Sequence, residues 1–562
     1  MKRDVDSLAA GSFDLVVVGG GIHGVAAARE AVLRGLRVAL VERQDFGWAT
    51  SSQSARIAHC GMRYLQHADF KRMRESIREG KALVTNAPHL VDKLPFLLPV
   101  RGHGIAGIET TALYLKTFDL LSIDRGWFKD EARRMPHSRM VGPAQVMEMA
   151  PGIEPQGLSG GAIWTEGQMH NTERLLLANL RAATTAGLVA ANYVEATRIR
   201  LEGDRVAGID ATDRLTGRSF TIDATAVLNA TGPWIVDSLV GNGFKPADYG
   251  IHLSKSFSLI TRPWTNGFAL SFPIRPMYRD RRAVIDKASN IQFAIPWRGA
   301  TMLASLHLPC EDDPASVTIS EEEIETYIEV VNASYSEAKL QRSDVRHVLW
   351  GMIPAEEKGS AAPLKYYKII DHAEADGIRG LVTTVGVKFT TSRDVAQKAV
   401  DVAAKYLSRP LKPSSGRFRP LWGGDIEYLD AFRQQAAATS RGLRPDVLQR
   451  LLRNYGTGYR NILRYIEEDP ALGATLPSSP VLAAEVIHAV REEMAVALAD
   501  VVLRRTDLGN LERPTEECLA ACAQLMAREL GWDEARTARE RAALEEVYAL
   551  TPFGTRLQHP PR

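Results

Sequence analysis

Gly19, Gly21 and Gly24 stand at the spacing G-x-G-x-x-G, directly behind the apolar run 15–18 and ahead of a stretch, 24–34, in which small and apolar residues recur at helical spacing. A second apolar run, 38–41, ends at Glu42. The first glycine permits a tight turn, the second lets backbone approach a pyrophosphate, and the third lets a helix pack against a sheet. Phosphates would sit at the helix start, where open N–H groups and the dipole favour anions. Glu42 is placed for a ribose hydroxyl, and its charge would repel the extra 2′-phosphate of NADP. Just downstream, residues 50–65, TSSQSARIAHCGMRYL, crowd hydroxyls, two arginines, a histidine and a cysteine into a segment that follows neither helical nor strand periodicity.

The glycines require a βαβ unit to carry them. The run 15–18 is continuously apolar, as a parallel strand buried on both faces must be, and Gly35 suits the C-cap of the intervening helix. At 562 residues the chain exceeds the size of one core, so two or three domains are expected. With 45% apolar and 24% charged residues it reads as an ordinary globular protein. Lys plus Arg at 69 against Asp plus Glu at 67 leaves a net charge of +2, which provides no field to recruit nucleic acid. Cys60, Cys310, Cys518 and Cys522 are too few and too scattered for a disulfide framework or a zinc site, and indicate a reducing compartment. The first residues lack the apolar core of a secretory signal, and no apolar run has the length of a membrane span.

Between about 150 and 370 short alternating strands dominate, as in GGAIWTEGQ, GDRVAGIDATD and IQFAIPWRGATMLASL, with a helix over 172–186 among them. AVLNATGPW reads as another buried strand, ending at Thr231-Gly232, where glycine again allows close approach to a dinucleotide. Residues 407–424, rich in Pro, Gly, Ser and Arg, read as a linker. Beyond them DVLQRLLRNYG, VLAAEVIHAVREEMAVALADVVLRRT and TEECLAACAQLMAREL show helical periodicity, and Arg504-Arg505 reads as a solvated face or an interdomain contact.

The run DLVVVGGGIHGVAAAREAVLRGLRVALVERQDFGWATSSQSARIAHCGMRYLQ resembles the opening of the FAD-dependent glycerol-3-phosphate dehydrogenase and oxidase family, whose pattern is glycine fingerprint, acid, A-T-S-S, then K-x-x-H-G-G-x-R-Y-L. NAPHLVDKLPFLLPV, NATGPW, VGVKFTTSRDVA and AEVIHAVREEMAVALADVVLRRTDLG continue the resemblance in order across nearly the whole chain. It implies an α/β FAD-binding Rossmann-like domain assembled from 1–100, 172–240 and 378–406. A mixed β-sheet substrate domain would comprise 101–171 and 241–377, and an all-α C-terminal domain 425–562. It implies non-covalent FAD, contacted by Gly19, Gly21, Gly24, Glu42, Arg43, Thr50, Ser51, Ser52, Val194, Thr231, Gly232, Gly386, Lys388, Phe389 and Thr390. The activity implied is hydride transfer from an alcohol carbon to flavin N5. That step needs an acceptor for the hydroxyl proton, and a neutral imidazole is suited to it. His59 matches the family histidine and takes that role, with Arg63 and Lys388 completing the catalytic set. Arg56, Arg63, Tyr64, Lys255 and Ile353 fall at substrate-facing positions.

Departures gather on the substrate side. The family's G-[VL]-R-P-L is here Gly351-Met352-Ile353-Pro354-Ala355, without its arginine; G-G-K-L-T-T is Gly386-Val387-Lys388-Phe389-Thr390-Thr391; K-G-[ST]-[HY] reads Lys255-Ser256-Phe257-Ser258; G-T-T-D reads Ala304-Ser305-Leu306-His307. H-G-G has become His59-Cys60-Gly61, and the family's lysine three residues earlier is Arg56. The substrate expected is a small anionic hydroxylated compound, a polyol phosphate or relative, that has moved away from glycerol 3-phosphate itself. An amine or amino-acid oxidase and a flavin-binding module without turnover are the competing readings. The location expected is cytoplasmic, at most peripheral to the inner face of the membrane; the acceptor, quinone or oxygen, and a homodimer stay open.

Overall fold

The computed structural model describes residues 1–562 apart from 63, 65–67, 105–106, 246–248, 266, 275–289, 441 and 558–562. Ser12–Val18 lies at the heart of an eight-stranded sheet, parallel to Ser219–Asn229 on one side and to Val38–Glu42 on the other. Leu381–Val385 and Val189–Asn192 extend it in parallel, and Lys368–Asp371 closes one edge antiparallel. Leu15, Val16 and Val17 are wholly buried, which explains why the run is continuously apolar: each face of the strand meets a different core. Ala27 and Ala31 of the helix Ile22–Leu33 pack beside Ala399 and Val400 of Ser392–Ala404 over one face. On the other, Ile199 and Ile209 come from the antiparallel pair Val194–Glu202 and Arg205–Asp213.

The second sheet has nine strands, with Val345–Ala355, His252–Thr261, Ala300–Pro309 and Asn290–Trp297 antiparallel in that order. Its far half is built by Ala269–Ile274, Val91–Arg101, Leu158–Met169 and the short strand Ile57–Ala58. Val91–Arg101 therefore belongs with the substrate-side sheet, not with the nucleotide domain as a boundary at residue 100 would have it. Lys368–Asp371, expected in the substrate domain, pairs into the first sheet. An apolar strand carries no local mark of which sheet it joins, and Val91–Arg101 finds its partner well along the chain in Leu158–Met169.

The segment 407–424 is packed rather than a spacer. Arg29 Nη2 donates to the Arg419 carbonyl at 2.8 Å, Asn86 Nδ2 to that of Arg417 at 3.0 Å, and Leu421 is buried. Its irregular composition hid this because the contacts are made by its carbonyls, which every residue type offers.

Helices form the C-terminal region, including Pro445–Tyr455, Ala483–Glu492, Glu516–Leu530 and Glu534–Tyr548. The turn Val501–Arg505 widens to π geometry and drives two arginines inward. Arg505 Nη1 and Nη2 each donate to Asp45 at 2.6 Å, and Arg504 Nη2 donates to Asp500 at 2.7 Å. Arg174 forks onto Glu493 at 2.6 and 2.8 Å. Arg504-Arg505 is thus an interdomain contact, and both residues are buried.

Burial alone would raise the Asp45 pKa, but Arg505 and Arg504 overcome it and hold the carboxyl at about 2, below its ordinary 3.8. A carboxyl depressed on folding contributes stability that is present above the unfolded value and lost as pH falls through the folded one. The urea midpoint should therefore drop as pH falls from about 4 to about 2. In Asp45→Asn the protein should start weaker at pH 7 and show a shallower acid limb. Parallel acid limbs in urea titrations of the two proteins would remove Asp45 as a contributor.

Candidate active site

The N-terminus of Ile22–Leu33 opens onto a cavity of about 1300 Å³ that runs between the two sheets. Gly19 sits at φ +107°, where a Cβ would come within 2.5 Å of the Ala230 carbonyl oxygen. A Cβ on Gly24 would collide with the carbonyl of Gly19, so the third glycine serves helix packing. Gly21 caps the helix without a side chain, and Ser51 Oγ accepts the Ile22 N–H at 2.9 Å beside it.

Val41, Glu42, Arg43 and Val194 line the cavity beyond the glycines. Burial raises the pKa of Glu42, while the N–H groups of Gln44 and Gly20, donating at 2.9 and 2.7 Å, counter it. Each carboxylate oxygen keeps a lone pair for a ribose hydroxyl. The Arg43 guanidinium lies 4.4 Å over the ring of Trp234. Thr231 and Gly232 complete this wall, with Thr231 Oγ1 donating to Asn229 at 2.8 Å.

Thr50 and Ser51 line the middle, and Thr50 Oγ1 ties the segment to the second sheet by donating to the Met352 carbonyl at 2.9 Å. Ser52 turns away: its hydroxyl donates to the Ala49 carbonyl, and it borders a separate cleft beside Asp45 and Arg504. One short helical turn, Thr50–Ser52, cannot aim three consecutive side chains at one surface, so the expected flavin contact of Ser52 is corrected. Gly386, Val387, Lys388, Phe389 and Thr390 line the opposite side. A side chain on Gly386 would overlap the His23 imidazole, which burial keeps neutral with a pKa of about 4.

His59 also lines the cavity, its ring 6.1 Å from that of Phe293, and Tyr64, Lys388 and Ile353 share the wall. Lys388 Nζ stands 4.1 Å from the Tyr64 ring centroid. Arg63 lies outside the described residues.

Of the expected substrate contacts, Arg56 lines the cavity but is held by a carboxylate, and Lys255 is turned away from it. The guanidinium of Arg56, wholly buried, forks onto Glu173 at 2.6 and 2.7 Å and stacks 4.5 Å over Trp297. Lys255 pairs with Glu323 at 2.5 Å and donates to the Thr318 carbonyl; strand alternation turns the next residue, Ser256, to the cavity instead.

Glu166 and Arg72 also line the cavity and escaped the sequence reading. Glu166 accepts the backbone N–H of Cys60, next to His59, and the indole N–H of Trp164 at 3.1 Å; burial raises its pKa. An acid at a fully buried strand position was its only signal, and Arg72 gave none beyond a charge in the first turn of a helix.

The site fits a flavin dinucleotide by its own atoms. The glycine cradle admits a pyrophosphate, and His23 Nδ1, Arg43 Nη2, Trp234 Nε1 and Thr384 Oγ1 are buried at the cavity wall without a partner among the described residues. The backbone of Gly21, φ −72° and ψ 176°, suits any residue, whereas a side chain there would enter the pyrophosphate's path. Gly21→Val should accordingly fold but purify without the yellow flavin absorbance; a mutant as yellow as the parent would place the pyrophosphate elsewhere.

Fold and cavity together define a flavin-dependent oxidoreductase, and residues 14–396 match the family described as FAD dependent oxidoreductase. Residues 414–537 match the C-terminal domain of alpha-glycerophosphate oxidase. A glycerol-3-phosphate dehydrogenase of Synechocystis sp. is 31% identical over 539 residues, covering 93% of this chain and 94% of that protein. Glycerol-3-phosphate dehydrogenase 2 of Mycobacterium tuberculosis is 28% identical, covering 94% and 87%. The crystal structure of the Bacillus halodurans glycerol-3-phosphate dehydrogenase complexed with FAD superimposes with a TM-score of 0.73 at 25% identity, covering 97% of this chain and 96% of that one. The chain belongs to the FAD-dependent glycerol-3-phosphate dehydrogenase family, and it is an FAD-dependent oxidoreductase acting on CH–OH groups. Among the described residues no helix is long and apolar enough to cross a membrane.

Proposed function

We propose that the protein oxidises the alcohol carbon of a small polyol phosphate and passes the electrons to a quinone or to oxygen. The observation that carries the reading is the meeting of His59, Tyr64 and Lys388 in the same cavity as the glycine-helix N-terminus. FAD, when bound along that wall, supplies the two-electron acceptor. His59 takes the hydroxyl proton, so that loss of hydride leaves a neutral carbonyl rather than a protonated one. Glu166, through the amide of Cys60, fixes the backbone from which the imidazole projects. Lys388 balances the substrate's negative charge.

Ile353 leaves its part of the wall apolar, where the family pattern carries an arginine. Losing one charge-assisted contact weakens binding by roughly 1.5–3 kcal/mol, so the preferred substrate is proposed to differ from glycerol 3-phosphate unless another cation replaces that contact. Anaerobic mixing with glycerol 3-phosphate, larger polyol phosphates, hydroxy acids and amino acids tests both parts. Flavin bleaching by a phosphorylated alcohol supports the reading; bleaching by amino acids alone would replace it with an amine oxidation. Hydrogen peroxide formed in air marks oxygen as the acceptor, and its absence alongside reduction of a soluble quinone marks the other.

A further inference from the structure

Two cations from distant parts of the chain rest against one ring in this cavity. Lys388 Nζ lies 4.1 Å from the Tyr64 centroid, and the guanidinium carbon of Arg72 lies 4.3 Å from the same centroid. All three residues line the cavity, and the two positive groups are separated by no more than the sum of those distances. Arg72 reaches this position from the first turn of Phe70–Asn86, which Asp69 fixes by accepting the Arg72 N–H at 3.1 Å. Side chains lean toward the N-terminus of their helix, which carries the guanidinium back toward Tyr64 and to 4.8 Å from the ring of Tyr366. Its neighbours Lys71 and Arg74 are exposed, whereas Arg72 is half-buried at the cavity wall.

Among the described residues, other basic side chains of this region are also held by carboxylates. Arg56 forks onto Glu173, Lys255 pairs with Glu323, and Lys365, which also lines the cavity, stands 4.0 Å from Glu356. A dianion with oxygens facing both groups gains a charge-assisted hydrogen bond from each. We propose that Arg72 is the second cation of the substrate's phosphate site, acting with Lys388 in place of the arginine that Ile353 replaces. The proposal rests on the reading of the substrate as a phosphorylated alcohol. It supplies the compensating contact which that reading lacks, so glycerol 3-phosphate becomes a competent substrate.

Arg72→Leu and Arg72→Lys, each purified with FAD and compared with the parent by absorbance, test it in anaerobic reduction by glycerol 3-phosphate and by glycerol. Arg72→Leu should raise the half-saturating concentration of glycerol 3-phosphate about 10-fold or more with little change in limiting rate, and Arg72→Lys should restore part of the loss. Reduction by glycerol, which has no phosphate, should change far less than reduction by glycerol 3-phosphate. Inhibition by inorganic phosphate should weaken in step. Equal half-saturation and equal phosphate inhibition in Arg72→Leu and the parent would overturn the proposal, as would a matching loss with glycerol, which marks a structural role. If glycerol 3-phosphate fails to bleach the parent, the substrate reading fails. Arg72 is then judged by the flavin difference spectrum that inorganic phosphate induces: present in the parent and absent in Arg72→Leu it sustains the anion site, and identical in both it removes it.

Discussion

Replacing His59 by alanine is expected to slow anaerobic flavin reduction by about 100- to 10,000-fold, the usual contribution of a positioned base, while the FAD absorbance stays intact. The side chain reaches into the cavity from an exposed position after the short strand Ile57–Ala58, and it supports no core. Its loss therefore removes the proposed proton acceptor without emptying a core. The parent's rate should rise with pH as an imidazole gives up its proton, and the mutant should lose that limb. Stopped-flow reduction across pH measures both. Equal rates in the two proteins at every pH would show that a different group or a water takes the proton.

The second large effect concerns stability. Arg56→Met should cost about 3–5 kcal/mol, because it leaves the Glu173 carboxylate buried and uncompensated. Arg56 joins the polar segment to the helix Thr172–Thr185, and its guanidinium also donates to Thr172 Oγ1 at 3.0 Å. Trp297 of the second sheet covers it, so three parts of the molecule meet at one cation. The double substitution Arg56→Met with Glu173→Leu should recover much of the loss, since an apolar pair of similar volume removes the stranded charge. Urea midpoints of the three proteins decide this. A single mutant with parental stability but a raised half-saturating substrate concentration would return Arg56 to the substrate site.

The cofactor half of the site was legible in the chain because each of its requirements is local. Gly19, Gly21, Gly24 and Glu42 lie within one βαβ unit, and at Gly19 and Gly24 neighbouring backbone leaves no room for a side chain. The helical C-terminal region was legible for the same reason: apolar residues at helical spacing leave a periodic trace. His59 was found through its surrounding pattern, and it lines the same cavity as Tyr64 and Lys388.

Charged side chains were another matter, because a cation's role depends on which anion reaches it through the fold. Arg56 and Lys255 look like substrate ligands in the sequence, yet Glu173 and Glu323, distant along the chain, claim them. Arg72 looks like one more surface charge, and only the packing of Phe70–Asn86 beside Tyr64 turns it inward. Sheet membership behaved in the same way: Val91–Arg101 carries an ordinary strand pattern, and its pairing with Leu158–Met169 is decided by tertiary contact. By itself the sequence determined the dinucleotide cradle and the family, and it singled out His59. The tertiary structure alone decided which positive charges hold the domains together and which line the cavity, since a charge is assigned by its nearest partner in space and that partner is set only when the chain has closed on itself.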